Sequence, residues 1–118
     1  PENLEKMEGP KVITSAYDFM KWVIPHIGKF PRNQRYMLGE RIENKLFRLL
    51  ELLIEAQYSK DKANALKRAN LEIEQMRYLF RLCHDLQLIN LKTYELSSRY
   101  LMNIGAQVGG WIKQQASR

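Results

Sequence analysis

Apolar positions recur at spacings of three and four along most of the chain, the period of an α-helix, and no window alternates with the two-residue period of a strand. Polar breaks divide this pattern into four helical stretches. In the first, Thr14 or Ser15 is the expected N-cap, and Tyr17, Met20, Val23, Ile24 and Ile27 form the apolar side. Pro25 lies inside that stretch and predicts a kink or an early end, because proline lacks a backbone donor and clashes one turn back. Gly28 and Phe30-Pro31 close it. The second helix runs from about 33 to 58 and the third from about 61 to 86. Asn90 is a good cap for a fourth reaching about 115.

The second helix is the most telling. With about 100° of rotation per residue, Leu46, Phe47, Leu49, Leu50, Leu52, Leu53, Ile54 and Ala56 cover an arc of roughly 220°, and Arg48, Glu51 and Glu55 mark a narrow polar side. One buried face needs only about 100°. The surplus predicts burial against a second subunit, with Phe47, Leu50 and Ile54 as interface residues. The third helix shows a single stripe of Leu66, Ala69, Ile73, Met76, Leu79 or Phe80, and Cys83, opposed by Lys67, Asn70, Glu74, Arg77 and Arg81. Tyr94, Leu101, Ile104, Val108 and Trp111 or Ile112 line the fourth. Short links make neighbouring helices antiparallel, so the expected fold is all-α, an up-down four-helix bundle over residues 14–118 preceded by an arm of residues 1–13.

Size agrees with this: 118 residues make one domain with one modest core. No apolar run approaches the length of a membrane span, and the first residues lack the order of a signal peptide. Together with a single cysteine, Cys83, these features predict a cytoplasmic protein. The net charge of +6 shifts the expected partner toward a polyanion, nucleic acid first, against the plainer alternative of a surface tuned for solubility. The basic residues form groups. Arg41, Lys45 and Arg48 flank the apolar arc, Lys67, Arg77 and Arg81 follow one side of the third helix, and Arg32 and Arg35 cluster near Lys29. Such ridges hold phosphates with strong salt dependence and little base selectivity. Stacking platforms for single strands are not evident, since most aromatic residues fall on apolar faces.

Catalytic chemistry is absent from the pattern. His26 and His84 lie on different helices without ligand-spaced partners, and Cys83 continues an apolar stripe, where a free cysteine behaves as a small hydrophobe. The Glu51/Glu55 and Glu72/Glu74 pairs lie on mixed-charge faces. Gly105 to Gly110 lacks the spacing of a phosphate-binding loop. Gly105 and Gly109, one turn apart, instead predict close approach of a partner helix. The expectation is a non-enzyme with no metal, cofactor or small-molecule substrate.

Several stretches resemble the accessory variability determinant (Avd) family of diversity-generating retroelements. They are Phe30-Pro31-Arg32-Asn33-Gln34-Arg35-Tyr36-Met37-Leu38-Gly39, Leu49 to Ala56, Ala69-Asn70-Leu71-Glu72 with Met76 to Leu82, and Gly109-Gly110-Trp111. The resemblance implies a four-helix bundle assembling into a homopentameric barrel. It also implies binding to a reverse transcriptase and to nucleic acid, RNA and DNA, in support of the error-prone copying of a template repeat. Under it, Arg32, Arg35, Arg41, Lys45, Arg48, Lys67, Arg77 and Arg81 are the expected contacts. Two alternatives stay open at this point: a bundle protein of the kind encoded in intervening sequences of ribosomal RNA, and a helical adaptor that binds only protein.

Overall fold

The computed structural model describes residues 10–117, which form four helices. Helix α1 spans Lys11–Ile27, three residues ahead of the expected cap at Thr14. The turn opens at Pro10, whose carbonyl accepts from the Ile13 N–H at 2.9 Å without any side-chain cap. The reason lies in the core. Val12 is buried and begins a stripe continued by Ala16, Phe19, Met20, Val23 and Ile27. Residues 11–13 therefore belong to the bundle, not to an arm, while residues 1–9 lie outside the described residues. Tyr17 and Ile24, expected on the apolar side, are exposed. Pro25 does not stop the helix early, for it sits in the last turn and the helix runs on to Ile27.

Helix α2 is built from a short opening at Arg32–Gln34, a π-helical turn at Arg35–Gly39 and the long stretch Glu40–Tyr58. Pro31 starts it, its carbonyl accepting from Gln34 and Arg35 N–H groups at 2.9 Å. At Gly39 the end of α1 approaches closely: a Cβ there would stand 2.6 Å from Ile27 Cγ2. The C-terminal end of α2 is capped from outside. Lys62 Nζ donates to the carbonyls of Ala56, Gln57 and Ser59 at 2.8, 2.9 and 3.1 Å. The cation thereby meets the negative end of the helix dipole.

Helix α3, Lys62–Asp85, is capped by Asp61 Oδ1, which accepts from Asn64 N–H at 3.4 Å. It ends in a left-handed residue, Gln87 (φ 63°), with Gln87 N–H donating to His84 O and Leu88 N–H to Cys83 O. This is a Schellman closure, and Leu88 packs back against the core. Helix α4, Leu91–Ala116, takes its cap from Asn90 Oδ1, which accepts from Thr93 N–H at 2.8 Å, as expected.

Consecutive helices run antiparallel. Lys45 pairs with Glu72 and Glu55 with Arg68, one number rising as the other falls. The same crossing appears between α1 and α4, where Ser15 meets Gln107 and Phe19 meets Tyr100. Each helix packs on its two neighbours, α1 and α3 on α2 and α4, which closes the up-down bundle. Phe19 and Phe80 reach across the diagonal, their ring centroids 5.7 Å apart. One continuous core results, from Val12 through Leu46, Leu53, Ile73 and Met76 to Ile104 and Val108. Burial on this scale supplies the dominant favourable term of folding. No helix of the described residues is long and apolar enough to cross a membrane.

Candidate nucleic-acid interface

The basic side chains divide into groups set by helix phase. On α2, Arg41, Lys45 and Arg48 recur within two turns and line one open groove together with Tyr36, Met37 and Glu72. Their roles differ. Lys45 is only 23% exposed, lies 3.6 Å from Glu72 and donates to Gln75 Oε1. It braces α2 against α3, which leaves its charge largely engaged. Arg41 has no carboxylate within 4 Å among the described residues, and Arg48 holds Glu51 only loosely at 4.0 Å. An exposed pair of that length contributes little and is readily exchanged for a phosphate.

Tyr36 and Met37 follow from the π-helical turn. The extra residue in that turn carries both outward next to Arg32 and Arg35, where they are 66% and 58% exposed. The Arg32 guanidinium lies over the Tyr36 ring, 6.0 Å from its centroid. Such turns interrupt α-helices frequently at functional positions. Arg32 and Arg35 are exposed and have no carboxylate partner among the described residues, so the opening of α2 is a patch of open positive charge beside an aromatic face.

Arg77 and Arg81 lie apart from that groove, in a shallow depression between α3 and α4 lined by Glu74, Tyr78 and Tyr94. Glu74 pairs with Arg77 at 3.2 Å and Asp85 with Arg81 at 4.0 Å. Lys67 is exposed on α3, but ten residues before Arg77, about 15 Å along the axis, and joins neither group. The expected ridge of Lys67, Arg77 and Arg81 is thus one isolated lysine and one arginine pair.

The interface residues expected from the sequence also separate. Phe47 and Ile54 are 51% and 40% exposed, and Leu50 is half-buried between them and the core. That edge of α2 is the part of the apolar arc the chain does not bury. Gly105 has its nearest neighbours within its own chain: Arg77 Nη2 would lie 3.5 Å and Ile73 Cγ2 3.8 Å from a Cβ there. Gly109 faces open space.

Among the described residues the one resolved titration shift is that of Cys83. Burial pushes the Cys83 thiol up to about 11, away from reactivity. His26 Nδ1–H donates to the Trp22 carbonyl at 2.7 Å, and its ring packs at a tilt against the Trp22 ring, centroids 4.5 Å apart. His84 stacks on Tyr94 at 5.1 Å. Among the described residues no group of three or more His, Cys, Asp or Glu is placed to hold a metal ion.

A family model described as bAvd-like matches residues 11–115, from the first residue of α1 to the last turn of α4. The chain belongs to the bAvd-like family. No curated protein shows significant similarity to it. The match spans every basic group described above, so all of them lie on the part of this bAvd-like chain that the family shares. Sequence reasoning missed the exposed tyrosines. Tyr36, Tyr58 and Tyr78 are 66%, 81% and 71% exposed, against the expectation that the aromatics fall on apolar faces. For Tyr78 the signal was present, since it interrupts the polar face between Arg77 and Arg81. For Tyr36 it was not, because the π-helical turn changes the phase of everything before Gly39.

Proposed function

We propose that this bAvd-like chain is a non-catalytic accessory of a reverse transcriptase, an oligomer that binds the enzyme together with its template RNA and complementary DNA during mutagenic copying. The observation that carries the reading is the α2 groove. There Arg41 and Arg48 are free to meet phosphates, and Arg32, Arg35, Tyr36 and Met37 extend the same surface past the π-helical turn. Guanidinium groups beside exposed aromatic rings suit single-stranded or looped nucleic acid. They equally mark the anchors of a protein interface, where Arg and Tyr dominate. Enzyme and nucleic acid therefore share the surface in this reading.

Assembly enters through the Phe47, Leu50 and Ile54 edge. A row of large apolar side chains left open on the most apolar helix favours self-association, here into the homopentamer that the family resemblance implies. Helical phase puts Phe47 about 100° from Arg48, so a copy seated on the apolar edge leaves the groove open.

The test is a tagged pull-down from the native host without nuclease, identifying protein and RNA together. A reverse transcriptase with a structured template-repeat RNA is the expected catch. Ribosomal RNA or ribosomal proteins alone would overturn the retroelement role, and protein without nucleic acid would leave an adaptor. In vitro, Arg41→Glu with Arg48→Glu should weaken RNA binding and lower the salt slope by about two, with helicity and oligomer size unchanged. Unchanged affinity would remove the groove from the reading.

A further inference from the structure

The Arg77–Arg81 depression differs from the α2 groove in its electrostatics. Its two guanidiniums are matched by the Glu74 and Asp85 carboxylates, so its formal charge sums to zero. A polyphosphate backbone gains little there. What the depression offers is flat, polarisable surface. Tyr78 is 71% exposed at its rim, and Arg77 and Arg81 flank it in sequence on the outer side of α3. Tyr94 forms the α4 wall and is held against His84 at 5.1 Å with the rings within 15° of parallel, so its position is fixed before anything binds.

We infer that this depression is a subsite for one unpaired nucleobase, which stacks on Tyr78 and on the guanidinium planes of Arg77 and Arg81 with Tyr94 as a fixed wall. The inference rests on the nucleic-acid part of the proposed function and assigns a division of labour within it. The α2 groove takes phosphates, with strong salt dependence. The α3–α4 depression takes a base, with little. Base-on-aromatic stacking tolerates any base, since each has a flat face, but it requires that the base be unpaired. Duplexes expose no such face and should not use the site.

The experiment is fluorescence anisotropy on the full chain, with a labelled short oligoadenylate and a labelled duplex of equal length, each titrated across a range of salt. Tyr78→Leu keeps apolar bulk and removes the ring; Tyr78→Phe keeps the ring. We expect Tyr78→Leu to lose about fivefold or more in single-strand affinity, Tyr78→Phe to restore it, and duplex affinity to change by less than about twofold. The slope of log affinity against log salt should stay at the wild-type value in both variants, whereas Arg41→Glu lowers it. Equal loss on duplex and single strand, or no loss on either, overturns the base subsite while leaving nucleic-acid binding intact. A change in oligomer size in Tyr78→Leu, read by light scattering, overturns it too and places Tyr78 with Leu82 in a subunit contact. If wild-type protein binds neither probe at moderate salt, the nucleic-acid reading itself fails and takes the subsite with it.

Discussion

Adding one methyl group at Gly39 tests how α1 is seated on the bundle. The backbone there is ordinary helix, with φ −60° and ψ −48°, so glycine is not needed for its conformational freedom. Alanine would in fact favour the helix by roughly 1 kcal/mol. Space decides otherwise. The new Cβ would stand 2.6 Å from Ile27 Cγ2 and 3.8 Å from Phe30 Cδ2. The first distance is about 1 Å or more inside the optimum for two carbons. Ile27 is 4% exposed, and its Cγ2 is a branch on Cβ, so it moves only if the whole side chain changes rotamer or the end of α1 shifts. Overpacking of this kind costs about 1–3 kcal/mol. A 2.6 Å contact with a buried, branched side chain puts the cost in the upper half of that range, so the net expectation for Gly39→Ala is a loss of about 1–2 kcal/mol, and a melting temperature several degrees lower for a domain of this size. Thermal denaturation followed by circular dichroism at one fixed protein concentration measures it, because assembly makes the midpoint concentration-dependent. An unchanged or higher midpoint would mean that α1 gives way freely at its C-terminal end, and the account of Gly39 as the seat of α1 would fall.

Other predictions follow from single features. Gln87 holds φ 63°, which costs a residue with a side chain about 1–2 kcal/mol, so Gln87→Gly should stabilise the protein by about 0.5–1 kcal/mol in urea denaturation; a loss would show that the side chain contributes more than the backbone strain costs. Cys83 has its folded pKa raised by burial from 9.0 to about 11, so the stability linked to its neutral thiol is complete below pH about 9 and is lost as pH rises through about 11. Cys83→Ala should therefore flatten the decline of stability between those pH values by up to about 3 kcal/mol, and identical profiles would refute the linkage. Lys62→Met removes a side chain bonded to three carbonyls at the end of α2, and a loss of about 1–2 kcal/mol is expected, with none if water replaces it freely. Gly109→Ala and Gly110→Ala add methyl groups in open space and should each stabilise the isolated fold by about 0.5–1 kcal/mol; if only Gly109→Ala also changes oligomer size, that glycine lies where another copy seats.

The helices were legible because each carries its own period and punctuation. Asn90 accepts from Thr93 N–H, and the stripe Leu66, Ala69, Ile73, Met76, Phe80 and Cys83 is buried throughout. Helix α1 was legible only in part: Met20, Val23 and Ile27 are buried as expected, but Tyr17 and Ile24 are not. Its apolar residues cover more than one face, and Val12, Ala16 and Phe19 compete with Tyr17 and Ile24 as the inner side. Only the positions of α2 and α4 decide between them, and that information is not local. The same holds for Lys62, whose value lies in three carbonyls that α2 presents at its C-terminal end, and for Gln87, a residue type with no preference for the left-handed region it occupies. In the candidate site, residue types were legible and groupings were not. Arg41 and Arg48 share a groove because they sit a helical repeat apart, while Lys67 is cut off from Arg77 by distance along one helix.

Why one short chain would carry both an open apolar edge and an open basic groove follows from the geometry of α2. A helix in a four-helix bundle needs about a third of its circumference for its own core. On α2 that third is Ile42, Leu46, Leu49, Leu52, Leu53 and Ala56. The remaining circumference divides in two. Phe47 and Ile54 occupy the sector beyond Leu50, and Arg41 and Arg48 the sector toward α3, beside the Lys45–Glu72 brace. Glu51 and Glu55 lie between them, and Glu55 is tied to Arg68 of α3 at 2.6 Å. This acidic strip keeps a polyanion off the apolar edge and an apolar partner off the groove. Exchanging Glu51 for Lys would erase that boundary on one side. Retained oligomer size together with tighter, less salt-resistant RNA binding would then show that the two sectors act independently, as the helix phase requires.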